Sequence, residues 1–154
     1  MQNPFTAALL LGGEVERVGK LGSLPYPLFP SKEIPKTKGL YIDVPPNKST
    51  YSKVITPSQD IEFFSVAMAC TGYLFPDYWE FTIGSYKIFE SIYTKELPQT
   101  IQSGNMLSMI YPVKANTPLR LDFVNNSGTS KQVFFDVKFF VGASDISNLN
   151  LAIT

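Results

Sequence analysis

The sequence predicts an all-β fold: a single antiparallel β-sandwich, jelly-roll-like, of about eight strands, with an extended N-terminal arm. Three observations lead there. Aromatic residues make up 14% of the chain, and these types favour the pleated, half-buried surface of a sheet. Short apolar runs recur at regular spacing, with Gly, Pro, Asn and Ser between them. No strong helical period interrupts those runs. At 154 residues the chain makes one domain.

Composition divides the chain into an arm (1–38), a sandwich (39–142) and a tail (143–154). Residues 6–18 suit a short helix capped by Thr6, although Gly12-Gly13 lies inside it. From Gly19 to Lys38 the prolines Pro25, Pro27, Pro30 and Pro35 break helices and cannot donate to an inner ladder. An extended segment results, and in polyproline geometry it would reach about 60 Å. Leu24, Tyr26, Leu28 and Phe29 make it more apolar than an ordinary linker. Such an arm either folds back over its own domain or lies on a neighbouring subunit. From Gly19 to Lys38, Lys20, Lys32, Lys36 and Lys38 stand against Glu33, a mild positive excess that suits an acidic neighbour.

In the sandwich, residues 40–44 alternate and stop at Pro45-Pro46. Residues 51–56 are a second short run. Residues 61–71 form a long apolar run suited to a central strand buried on both faces. Residues 77–83 and Tyr86–Tyr93 flank Gly84-Ser85, a type II′ hairpin signal. That turn pairs Ile83 with Tyr86, Phe81 with Ile88 and Trp79 with Glu90 on an inward face. The other face then holds Glu80, Thr82, Lys87 and Phe89 and should be wet, with Glu80 diagonal to Lys87. Residues 106–111, 118–124 and Lys131–Val141 complete the set. Asn125-Asn126-Ser127-Gly128 is the polar turn before the last strand.

The same residues restrict chemistry. The chain has no His, which removes the usual general base near neutral pH and the commonest transition-metal ligand. Cys70 is the single cysteine, so neither an intrachain disulfide nor a thiolate zinc site can form. Its neighbours read as a buried strand, and Cys70 as a small core residue. No nucleotide-binding glycine loop, EF-hand spacing or serine–lysine motif is present, and Glu80 and Glu90 fall on opposite faces. The expectation is a chain without catalytic site, cofactor or metal. Thirteen basic and thirteen acidic residues cancel, which argues against nucleic acid and an anionic membrane as partners. The N-terminus has no basic leader, and its apolar run is too short to span a bilayer. The protein should therefore stay in the cytoplasm or join an assembly built there.

Charged residues are only 17% of the chain, against about 25% for typical soluble domains. Part of the surface is expected to meet other protein. The arm residues named above are one candidate contact. The segment Gly72 to Trp79 is the other, as a loop at one end of the sandwich. Trp79 is in phase with Phe81 and Ile83 and belongs to the core. Tyr73, Phe75 and Tyr78 serve either as a plug closing the sandwich or as a platform for a sugar or a protein.

From residue 69 to 141 the order of pieces is Cys70-Thr71-Gly72-Tyr73, Asp77-Tyr78-Trp79, Ile88-Phe89-Glu90-Ser91-Ile92-Tyr93-Thr94-Lys95-Glu96, Ile110-Tyr111-Pro112-Val113, Asn125-Asn126-Ser127-Gly128 and the aromatic last strand. It resembles small β-sandwich proteins among bacteriophage virion structural proteins, over about half the chain. The resemblance implies a place on a capsid or tail, and with the missing catalytic groups the expectation is a non-enzymatic subunit that forms a homo-oligomer. Such a subunit assembles in the host cytoplasm and is located in the virion, with other virion proteins as partners. It transfers no functional residues. The alternative is a carbohydrate- or receptor-binding module facing a host-surface glycan.

Overall fold

The structure, a computed structural model, describes residues 14–17, 20–23, 29–95 and 105–154. Strands β1 (Glu14–Arg17) and β2 (Lys20–Ser23) pair as a two-stranded antiparallel ribbon. The helix expected over residues 6–18 is thereby corrected where it is described. Residues 14–17 are extended and trade backbone hydrogen bonds with β2, an arrangement that does not conflict with the helix-weakening Gly12-Gly13. The remainder of that helix lies outside the described residues.

The sandwich is built from β3 (Ile34–Val44), β4 (Ser49–Pro57), β5 (Ile61–Cys70), β6 (Tyr78–Ile83), β7 (Tyr86–Tyr93), β8 (Asn105–Val113), β9 (Leu119–Asn125) and β10 (Lys131–Val141), with a short β11 (Leu151–Ile153). One sheet has the order β3-β10-β5-β8 and the other β11-β4-β9-β6-β7. β3 pairs with β10, β4 with β9, β5 with β8 and β6 with β7, all antiparallel. Such nested pairing is one long hairpin folded over on itself, and it makes the sandwich a jelly roll.

Two boundaries move. The sandwich begins at Ile34 rather than at residue 39, because all eleven residues of β3 pair with β10. Pro35 fits there because β3 is an edge strand, where a missing N–H costs no ladder bond. Pro112 occupies the opposite edge strand, β8. At the other terminus the tail supplies β11, which pairs with β4 through Leu151–Pro57, Ala152–Thr56 and Ile153–Ile55.

Alternation on β10 fills the interior. Val133, Phe135, Val137, Phe139 and Val141 are buried, and they face Trp79, Phe81, Leu121 and Phe123 from the other sheet in one core. Trp79 meets Phe135 edge-on at 5.7 Å, and Phe81 meets Phe63 at 4.8 Å. β5 is an inner strand, as expected. It is buried on both faces over its first six residues, apart from a half-buried Phe64, but opens at Ala69. A bulge at Phe64 shifts its phase, so that Phe63 and Val66 both face inward.

The hairpin keeps its expected turn. Gly84 has φ +59°, positive at the first central position only, as type II′ requires. Ile83 pairs with Tyr86, and Lys87 Nζ bonds Glu80 Oε2 at 2.7 Å, which holds the Lys87 ammonium above its usual range. Beyond that point the expected register fails. Phe81 pairs with Phe89 rather than Ile88, and Trp79 with Ile92 rather than Glu90. Two bulges in β7 are the reason: each adds a residue and turns the next side chain to the other face. Phe89, expected on the wet face, packs near Trp79 and Phe81 instead.

Phe135→Ala should lower the unfolding free energy by about 3–5 kcal/mol in urea denaturation, the usual cost of an aromatic cavity. A loss under about 1 kcal/mol would contradict its position between the sheets.

Candidate functional site at the loop end of the sandwich

Three connections meet at one end of the sandwich: residues 45–48, 71–77 and 126–130. The strand ends place them there, since Val44 and Cys70 flank the start of β10, and Ser49 and Tyr78 flank the end of β9. Two buried polar side chains tie these loops together. Asn125 Nδ2 donates to the carbonyls of Pro45 (3.3 Å), Asn47 (3.0 Å) and Thr129 (2.9 Å), while Asn125 Oδ1 accepts from Gly128 N at 3.1 Å. Asp77 accepts Ser127 N at 2.7 Å and pairs with Lys131 Nζ at 3.1 Å. Lys131 Nζ also donates to Gly72 O at 2.8 Å. The two charged side chains are 0% and 1% exposed.

The pair follows from alternation. Lys131 is in phase with Val133 and Phe135, and Asp77 with Trp79 and Phe81, so each charge is carried inward by its strand and needs the other. Ser127 Oγ lies 2.9 Å from Asp77 Oδ2 and 3.0 Å from Asn125 Oδ1, and its single proton serves one at a time. This constellation brings serine, lysine and aspartate together at the junction of the three loops. Sealed from solvent, the pair binds the loops to each other. Cys70 lies close by. Burial pushes its thiol from 9.0 up to about 11, against the pull of the Lys131 ammonium.

Around this base the aromatic residues separate into two roles. Tyr73 packs on the core, and its hydroxyl accepts Cys70 N at 3.3 Å. Trp79 is buried in the core, as its phase predicted. Phe75 is 64% exposed and stacks on Tyr93 at 5.7 Å, and Tyr93 contacts the half-buried Tyr78 at 5.5 Å. The backbone beneath is fixed: Asp77 N and Thr94 Oγ1 both donate to Leu74 O, and Thr94 N donates to Asp77 O. Tyr93 was not among the sequence candidates, because the β7 bulges hide its pairing with Tyr78.

The chain belongs to the DUF8551 family, a domain of unknown function, matched over residues 32–144. No curated protein and no solved structure matches it. The DUF8551 match takes in β3 through β10 and leaves out the ribbon and β11.

The arm candidates lie elsewhere. Leu24, Tyr26 and Leu28 are outside the described residues, and Phe29 is half-buried. Just after them the chain is fastened to its own DUF8551 domain. Ser31 N and Lys32 N donate to Glu62 Oε2 at 2.9 and 3.1 Å, and Ser31 Oγ bonds Glu62 Oε1. Ala143 N donates to Glu33 Oε2 at 3.1 Å. For residues 31–33 the fold-back alternative is therefore the one observed. Glu62 is buried on the outer side of β5, and the arm root supplies its hydrogen bonds.

Lys131→Met should cost about 3–5 kcal/mol, because it leaves the Asp77 charge buried and unpaired. Adding Asp77→Asn should recover most of that loss in denaturant titrations. A double variant no better than Lys131→Met would contradict the pairing. Cys70 should react with a thiol reagent at pH 8 only in denaturant. Its folded pKa is above the unfolded value, so its contribution is full below pH 9.0 and falls as pH rises toward about 11. Rapid labelling of the native protein would contradict this.

Proposed function

We propose that this DUF8551 chain is a non-enzymatic structural subunit of a bacteriophage virion, on the capsid or tail, that docks on its neighbours through the arm ahead of the sandwich. Jelly rolls serve as capsid building blocks, as lectin-like binding modules and as cupins. A cupin-like use needs an interior site, whereas here Trp79, Phe63, Phe81, Phe123, Phe135 and Phe139 occupy the interior. The building-block use fits a solid core and a low surface charge. One observation carries the reading: Glu62 fastens Ser31 and Lys32 to the sandwich, directly after the run of apolar residues that the sequence places in the arm. The bacteriophage resemblance of residues 69–141 supports the assignment to a virion.

The expected result is that the chain is found by mass spectrometry in purified particles of the virus that encodes it. Deleting residues 1–28 should abolish incorporation and leave the melting temperature of the sandwich unchanged. Particles lacking the chain would contradict the proposal.

A second reading rests on the exposed Phe75–Tyr93 stack, which offers a flat apolar face to a sugar ring on a host-surface glycan. Phe75→Ala should then abolish glycan-array binding without loss of stability, and a protein that binds no glycan would contradict this reading.

A further inference from the structure

The two outer faces of the sandwich differ. On the five-stranded sheet the polar groups satisfy one another. Arg120 Nε bonds Asp122 Oδ1 at 2.8 Å, Ser52 Oγ bonds the same oxygen, and Lys87 pairs with Glu80. The outer face of the four-stranded sheet carries aromatic rings at both ends. Its rows follow from the register. The first row holds Tyr41, Phe134 and Ala69. The second holds Gly39, Asp136 and Ala67. The third holds Thr37, Lys138 and Ser65, and the fourth Pro35, Phe140 and Glu62. Tyr41 and Phe134 are 46% and 45% exposed, with ring centroids 5.3 Å apart. At the other end of the face the half-buried Phe140 contacts Phe64 at 4.9 Å, and residues 31–32 cover Glu62 beside it.

Along β10 this face therefore presents aromatic, anion, cation, aromatic: Phe134, Asp136, Lys138, Phe140. The pattern is complementary to its own reversal. Among the described residues neither Asp136 nor Lys138 joins an ion pair within the chain. We propose that two copies of this chain pack through this face, related by a two-fold axis between Asp136 and Lys138. Each β10 then crosses the other antiparallel. Asp136 of one copy meets Lys138 of the other in both directions, and Phe134 meets Phe140. An isologous contact needs a patch of this kind, one that matches itself after rotation. Beside the charges Gly39, Thr37 and Ala67 are small and let a second sheet approach to the usual spacing of about 10 Å, while Ser65 is already buried within the chain. The contact row from Phe134 to Phe140 is about 20 Å long.

The inference is independent of the virion reading. Such a dimer can be absent from a chain found in particles, and present in one that is not.

Sedimentation velocity of the full chain, across a series from micromolar to submillimolar, tests it. The wild type should dimerise reversibly. Asp136→Lys alone and Lys138→Asp alone should each weaken the dimer about tenfold or more, since each sets like charges together twice across the axis. The double variant carrying both changes restores opposite charges and should restore the dimer. Thermal melts at concentrations low enough to keep every variant monomeric should match the wild type, because both side chains lie on the outer face. A wild type monomeric throughout would overturn the proposal, as would a dimer indifferent to the single reversals or a double variant that fails to recover.

Discussion

Strand β10 has one usable register, and the rest of the molecule is arranged around it. It pairs with β3 over eleven residues and with β5 over nine. Its side chains divide without exception: one set is buried between the sheets, and the other faces away from the core. A slip of one residue would send Val133, Phe135, Val137 and Phe139 to the surface and drive Asp136 and Lys138 into the core. Burying one of those aromatics contributes about 1.5–3 kcal/mol, so a slip forfeits several such terms together. The nested pairing of the jelly roll then carries the constraint outward through β5 to β8.

The buried ion pair fixes the end of that strand. Lys131 is the first residue of β10, and Asp77 stands just before β6 in the opposite sheet. Their contact joins the two layers where three loops meet, and Asn125 extends the same network to the loop at residues 45–48. An ion pair so deeply buried contributes little net stability, but breaking it is costly. The pair lies at the base of the loop that carries Phe75, and Asp77 O accepts Thr94 N next to Tyr93.

Much of the fold was legible in the sequence because period-two alternation is a strong signal where one face is buried. All eight jelly-roll strands, the Gly84-Ser85 turn, the inward Trp79 and the buried Cys70 could be read from it. Bulges were not legible. Those in β7 bring Phe89 beside Trp79 and Phe81, a matter of packing between strands that leaves no mark in a single strand. The sandwich start at Ile34 was obscured by Pro35, because proline argues against a strand unless that strand is known to be at an edge. β11 was hidden for a related reason: three residues carry no period, and only the free side of β4 gives them a partner. At the site, phase already pointed Lys131 and Asp77 inward, and applying alternation to charged residues as strictly as to apolar ones would have paired them. Tyr93 could not be found that way, because its neighbours depend on the bulges.

Edge protection fits the same picture. Pro35 and Pro112 lie on the two edge strands of one sheet, and β7, at an edge of the other, is broken by bulges and by Ser91 at φ +50°. Features of this kind discourage strand addition. Residue-resolved hydrogen exchange tests the central claim about β10 most directly. Amides 133–141 should exchange slowest of all and as one group, only through global unfolding, with those of Tyr86–Tyr93 much faster. β10 amides that exchange as fast as those of β7, or in two independent halves, would contradict a fold organised around that strand.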